Sequence, residues 1–166
     1  MLRAGALAGV LAMTTVVMAD PPATTPTTDL DRLQGNWKPL QCDYEGKPQM
    51  APAPDFDPKE QVRGVFDKSE YYLYFKDRKP DPNGKPVIFR LGLANIKLDE
   101  TTSPKTIYLE FAEGPLKGKK CHGIYEVAGN QLKMCYCSVD KSKPTKFESH
   151  KDSGCFIETW VRQEKK

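Results

Sequence analysis

The chain has 166 residues, 25 of them basic and 22 acidic, for a net charge of +3, and 39% of its residues are apolar. That is room for one domain with a sizeable core. A charge balance this close to neutral argues against a nucleic-acid partner.

The first nineteen residues read as a leader rather than as part of that domain. Arg3 is a positive start, Ala4 to Val17 carries no charge, and Val17-Met18-Ala19 offers small or apolar residues where a signal peptidase reads. This is the pattern of a secretory signal peptide over residues 1–19. Its apolar run is shorter than the ~20 residues a membrane span needs. No cysteine stands at the cleavage point to carry a lipid anchor. The expected location is secreted, periplasmic or at the cell surface, with no membrane span after cleavage. Removing the leader takes away Arg3 and no acid, so 24 basic residues face 22 acidic ones, a net +2. Residues 20–28, DPPATTPTT, have no apolar periodicity and form an extended linker. The domain is expected over residues 29–166.

Asp29 to Leu33 can form one helical turn with Thr28 as its cap. From Trp37 the apolar period is two rather than 3.6, and Trp37 to Cys42 is the first expected strand. Tyr44 to Pro48 reads as a turn by its Gly and Pro. A proline-rich loop follows, and Asp57-Pro58 resembles a cap with Pro at the first helical position, so a short helix can start there. Val65-Phe66 opens the next strand. In Glu70 to Lys76, Tyr71, Leu73 and Phe75 share one face, while Tyr72 and Tyr74 share the other. Asp81-Pro82-Asn83-Gly84 is a turn. Along Val87 to Leu98 the apolar parity runs Phe89, Leu91, Leu93 and then shifts to Ile96 and Leu98, the phase switch that a β-bulge produces. Thr106 to Phe111 is a strand ended by Glu113-Gly114-Pro115. Lys120 to Val127 and Gln131 to Ser138 form a hairpin around Ala128-Gly129-Asn130. In its second arm Leu132, Met134 and Tyr136 point one way and Lys133, Cys135 and Cys137 the other. Residues 139–154 are a largely polar loop, and Cys155 to Arg162 closes the chain.

These are about eight strands joined mostly by hairpins, with no long crossover helix, so the sheet is antiparallel. The expected fold is all-β: an antiparallel up-and-down barrel with a short N-terminal helical turn. If it closes, Trp37 near the start of the first strand and Arg162 near the end of the last meet at one pole.

By this point the chain resembles the small secreted lipocalin-like domain that occurs in many copies in planctomycete bacteria. The matching residues are Leu33-Gln34-Gly35-Asn36-Trp37-Lys38, Gly46-Lys47-Pro48, Glu113-Gly114-Pro115, Lys117-Gly118-Lys119, Gly123-Ile124-Tyr125-Glu126, Leu132-Lys133-Met134-Cys135 and Pro144-Thr145-Lys146-Phe147. Gly-x-Trp at the start of a first strand, here Gly35 and Trp37, is how lipocalin-type barrels close their base. The resemblance implies a lipocalin-like barrel and an exported location, and it brings no established activity and no catalytic residues. Cys42, Cys121, Cys137 and Cys155 depart from that pattern.

No catalytic constellation is legible. Ser149-His150 and Asp152-Ser153 are neighbours in one loop, whereas hydrolase triads are assembled from separate parts of a fold. Cys121-His122 with Cys135 and Cys137 has the number of ligands a metal needs, yet thiols of an exported chain tend to oxidise or stay buried. Neither metal nor cofactor is expected, and the chain is not expected to be an enzyme. For the five cysteines the expected bridges are Cys42–Cys155 across the barrel seam and, second, Cys121–Cys137 across the hairpin, leaving Cys135 free. The residues expected to line a barrel interior are Tyr71, Leu73, Phe89, Leu109, Phe111, Tyr125, Met134 and Tyr136. In so small a barrel a mostly filled interior is favoured. Two functions fit: a non-catalytic module for a small apolar ligand, or an exported interaction protein of structural or inhibitor type whose partner is a protein.

Overall fold

A computed structural model describes residues 28–50, 57–77 and 79–163. The expected leader and all of the linker but Thr28 lie outside the described residues. The elements run α1 (Asp29–Leu33), β1 (Gly35–Tyr44), β2 (Lys47–Pro48), α2 (Pro58–Gln61), β3 (Val62–Asp67), β4 (Glu70–Lys76), β5 (Ile88–Asp99), β6 (Thr106–Glu113), β7 (Lys120–Ala128), β8 (Gln131–Ser138) and β9 (Cys155–Arg162). Strands β3 to β9 pair in chain order, and β1 lies between β3 and β9, every pairing antiparallel. Eight strands therefore close into an up-and-down barrel. The two-residue β2 stands outside the ring, paired with the end of β1.

One pole is sealed by α1. Thr28 caps it through a capping box: its side chain accepts from the Asp31 N–H, and the Asp31 carboxylate accepts from the Thr28 N–H. The helix carries Leu33 into the barrel, fully buried beside Trp37. The Trp37 indole N–H donates to the Leu33 carbonyl at 2.7 Å. Asp29 is buried at the same pole, where Lys105 Nζ lies 2.5 Å from its carboxylate and the Tyr125 hydroxyl donates to it at 3.1 Å. The seam closes as expected. Trp37 and Arg162 are register partners, and the guanidinium sits 4.3 Å from the indole centroid. Such a contact contributes about 0.5–2 kcal/mol beyond burial of the ring. Arg162 also donates to the carbonyls of Gln34 and Arg32, which ties the last strand to α1.

The phase switch in β5 is present. Register shifts occur against β4 between Leu73 and Tyr74, and against β6 between Leu93 and Ala94. The strand bends there, and beyond the bend Ala94 and Ile96 are buried in the barrel core. Gly114, in the β6–β7 turn, packs against this bend. It has φ +84°, and a Cβ there would stand 2.1 Å from the Leu91 carbonyl oxygen, so only glycine fits.

Candidate functional site: the open pole of the barrel

The second pole is formed by the far ends of the same strands and by the β6–β7 turn. A cavity of about 80 Å³ enters the barrel here. Its walls are largely apolar, from Leu73 on β4, Leu91 and Leu93 on β5, Phe111 on β6 and Leu116 in the turn. The deeper wall carries Tyr71, Tyr136 and a carboxylate, Glu158.

Glu158 shares its face of β9 with Trp160, because alternate residues of a strand point the same way. It is 8% exposed. Three neutral groups donate to it: the Tyr136 hydroxyl to Oε1 at 2.9 Å, the Cys42 thiol to Oε1 at 3.8 Å, and the Trp160 indole N–H to Oε2 at 3.1 Å. Among the described residues no cation forms an ion pair with it. Burial pushes the Glu158 carboxyl above the usual carboxylate range, against the opposing pull of those three donors. Burial and then the nearby Glu158 charge hold the Tyr71 and Tyr136 phenols and the Cys42 thiol above their ordinary values. Glu158 is thus a buried acid held by uncharged donors at the end of an apolar cavity.

Of the residues expected in the interior, Tyr71, Leu73, Phe111 and Tyr136 line the cavity. The other four do not. Leu109 and Met134 are fully buried in the packed core, and Tyr125 lies at the sealed pole on Asp29. Phe89 is the register partner of Phe75 and shares its face of the sheet, but it lies past the cavity at the rim, 44% exposed and stacked on Phe75 at 4.9 Å. Glu158 was not among the expected residues. Its signal was a carboxylate on the same face as Trp160 in an alternating strand.

The expected disulfides are not present; all five cysteines are free thiols. Cys42 is the register partner of Glu158. Cys155 is three residues from Glu158 on β9, and an odd separation on a strand faces the opposite side. Cys42 therefore meets the carboxylate inside the barrel while Cys155 packs outside with Cys135 and Cys137. For Cys121–Cys137 the reason is the hairpin turn. It uses two residues, Gly129 and Asn130, rather than three, so Cys121 opposes Ser138 and Cys137 opposes His122. The outer thiols instead hold the 139–154 loop, with Cys135 donating to the Glu148 carbonyl, Cys137 to Ser142 and Cys155 to Ser153. Burial raises the Cys135 and Cys137 thiols to about 11 and about 12, with a hydrogen bond to Cys155 as the second cause at Cys137. Peptide mapping without reductant is expected to yield no Cys42–Cys155 and no Cys121–Cys137 cross-linked peptide; either one would contradict the register.

The remaining polar candidates are occupied otherwise. The Ser149 hydroxyl donates to the Cys155 carbonyl at 2.8 Å and accepts from the Gly46 N–H, anchoring the loop to the β1–β2 turn. His122 faces outward with its Nε2 buried and unpartnered. Among the described residues no group of three His, Cys, Asp or Glu side chains is placed to hold a metal ion. No helix among them is long and apolar enough to cross a membrane.

The topology and the sealed and open poles define a lipocalin-like barrel. The chain is similar to a lipocalin-like protein from Bacteroides uniformis, at 12% identity and a TM-score of 0.41, over 79% of this chain and 98% of that one. No protein-family model matches the chain, and no curated protein gives a significant match.

Proposed function

We propose that this protein is a non-catalytic binding module that takes a small, largely apolar ligand at the open pole of its barrel, and that it works outside the cytoplasm as an exported protein of the planctomycete-type lipocalin-like group. The observation that carries the binding reading is the apolar-walled cavity ending on Tyr136 and Glu158. At about 80 Å³ it is well below the ~300–1,000 Å³ of pockets that enclose drug-sized molecules, so only a small ligand, or one end of a longer one, enters. The export reading rests on the leader pattern of residues 1–19 and the family reading on the order of the quoted motifs.

A second reading, an interaction module with a filled barrel, is favoured by one observation. Ile88 and Phe89 are 61% and 44% exposed beside Phe75 at the rim. Titration of isotopically labelled protein with 1-hexanol separates the two. The binding reading expects saturable amide shifts at Leu91, Leu93 and Phe111. Shifts confined to Ile88 and Phe89 would overturn it in favour of the interaction module.

A further inference from the structure

We propose that the ligand is a primary alkylamine, bound with its ammonium head on Glu158 and its apolar chain along the cavity toward the mouth. This rests on the binding reading above and names the ligand class for the same site.

The argument begins with the acceptor count. A carboxylate offers about four lone-pair positions. Tyr136 and Cys42 use two at Oε1, and Trp160 uses one at Oε2. One position on Oε2 remains, and Glu158 borders the cavity. A ligand that completes this set must donate a hydrogen bond.

Charge decides which kind of donor. The three protein donors are all uncharged, and a buried carboxylate without a counter-ion is costly unless something compensates it. The ionisable groups facing it are Cys42 from β1, Tyr71 from β4 and Tyr136 from β8, and burial keeps all three neutral over the physiological range. Glu113 from β6 borders the cavity nearer the mouth, where Arg90 lies 2.7 Å from its carboxylate. Among the described residues the one uncompensated charge in the site is therefore negative. A cation gains a charge-assisted bond there, a neutral alcohol gains an ordinary one, and a fatty carboxylate meets a like charge.

Size decides which cation. A single open acceptor position suits a compact ammonium, whereas a guanidinium presents a planar fork that asks for two. The cavity equals roughly two to three water volumes, which is the ammonium and its first methylenes. The rest of the chain lies against Leu91, Phe111 and Leu116.

Binding also has a proton signature. Burial raises the Glu158 carboxyl, so its protonated form persists above the usual carboxylate range. An alkylammonium, like lysine, keeps its charge to about pH 10. Ammonium binding requires the ionised carboxylate, so below about pH 10 affinity rises as the pH passes upward through the raised Glu158 titration. Cys42, Tyr71 and Tyr136 stay neutral throughout that range and add no titration of their own.

The test compares hexylamine, 1-hexanol and hexanoate by nuclear magnetic resonance, reading the Trp160 indole N–H, which is bonded to Glu158, and the Leu91 and Phe111 amides. Hexylamine is expected to bind about tenfold tighter than 1-hexanol, because a charge-assisted hydrogen bond is about twice as strong as a neutral one. Hexanoate is expected not to bind. In the Glu158→Gln variant hexylamine should fall to the affinity of 1-hexanol measured on that same variant. Should that variant not fold, the pH series on the unaltered protein decides: a hexylamine affinity that nowhere rises with pH below about pH 10 overturns the proposal. Binding of 1-hexanol as tight as that of hexylamine overturns the amine class and leaves the apolar cavity standing. No cavity shift with any probe overturns both.

Discussion

Replacing Met134 with glutamate is expected to abolish cooperative folding at neutral pH, while replacing its neighbour Lys133 with glutamine should change stability by less than ~1 kcal/mol. Met134 has no exposed surface and faces the barrel interior between Tyr125 on β7 and Glu158 on β9, its register partners. A glutamate there nearly conserves volume, so the effect is one of charge. It places a second buried carboxylate beside one that already lacks a counter-ion. An uncompensated buried charge costs several kcal/mol, against a total stability of about 5–15 kcal/mol for a domain. Lys133 points outward, 5.0 Å from the centroid of the Phe147 ring. Its loss removes one exposed cation–π contact, worth about 0.5–1 kcal/mol. Thermal melts followed by circular dichroism check both. Equal tolerance at the two positions would contradict the assignment of the faces.

Gly123→Ala is expected to cost at least ~3 kcal/mol, the upper range for forcing atoms into a packed site. Gly123 faces the interior of β7 opposite Tyr136. A Cβ there would stand 2.4 Å from the Cys135 carbonyl oxygen, 2.7 Å from Tyr136 Cβ and 2.9 Å from Tyr136 Cα. Two of those atoms are backbone, so relief requires β7 and β8 to part. Because the Tyr136 hydroxyl is bonded to Glu158, the strain reaches the cavity. Chemical denaturation gives the loss directly, and a change below ~1 kcal/mol would show that the strands separate more easily than the close approach implies. The Trp160 indole resonance is expected to move in the same variant.

The barrel was legible in the sequence because period-two alternation reports which side of a strand a residue faces. Leu132, Met134 and Tyr136 against Lys133 came out as read, as did the Trp37–Arg162 meeting at the seam. Alternation does not report depth along the barrel axis. Leu109, Met134 and Tyr125 therefore have interior faces but sit in the packed middle or at the sealed pole, away from the cavity. Phe89 is the same case at the other end: it shares the face of Phe75 but lies at the rim, beyond the cavity. Register in the β7–β8 hairpin hung on one residue of turn length, and that residue decided which cysteines oppose which. Glu158 was visible as a letter, but its meaning depends on three donors from β1, β8 and β9 that only the closed ring brings together.

The sealed pole also fixes how the molecule presents itself. The chain enters the barrel there through Thr28 and α1, and it leaves there past Arg162, where the Gln163 N–H donates to the Asn36 carbonyl. Thr28 and Gln163, the first and last described residues, thus both lie at the side opposite the mouth. An attachment made at either of these two positions, to a bead, a sensor chip or a fusion partner, would leave the opening on the far side of the barrel.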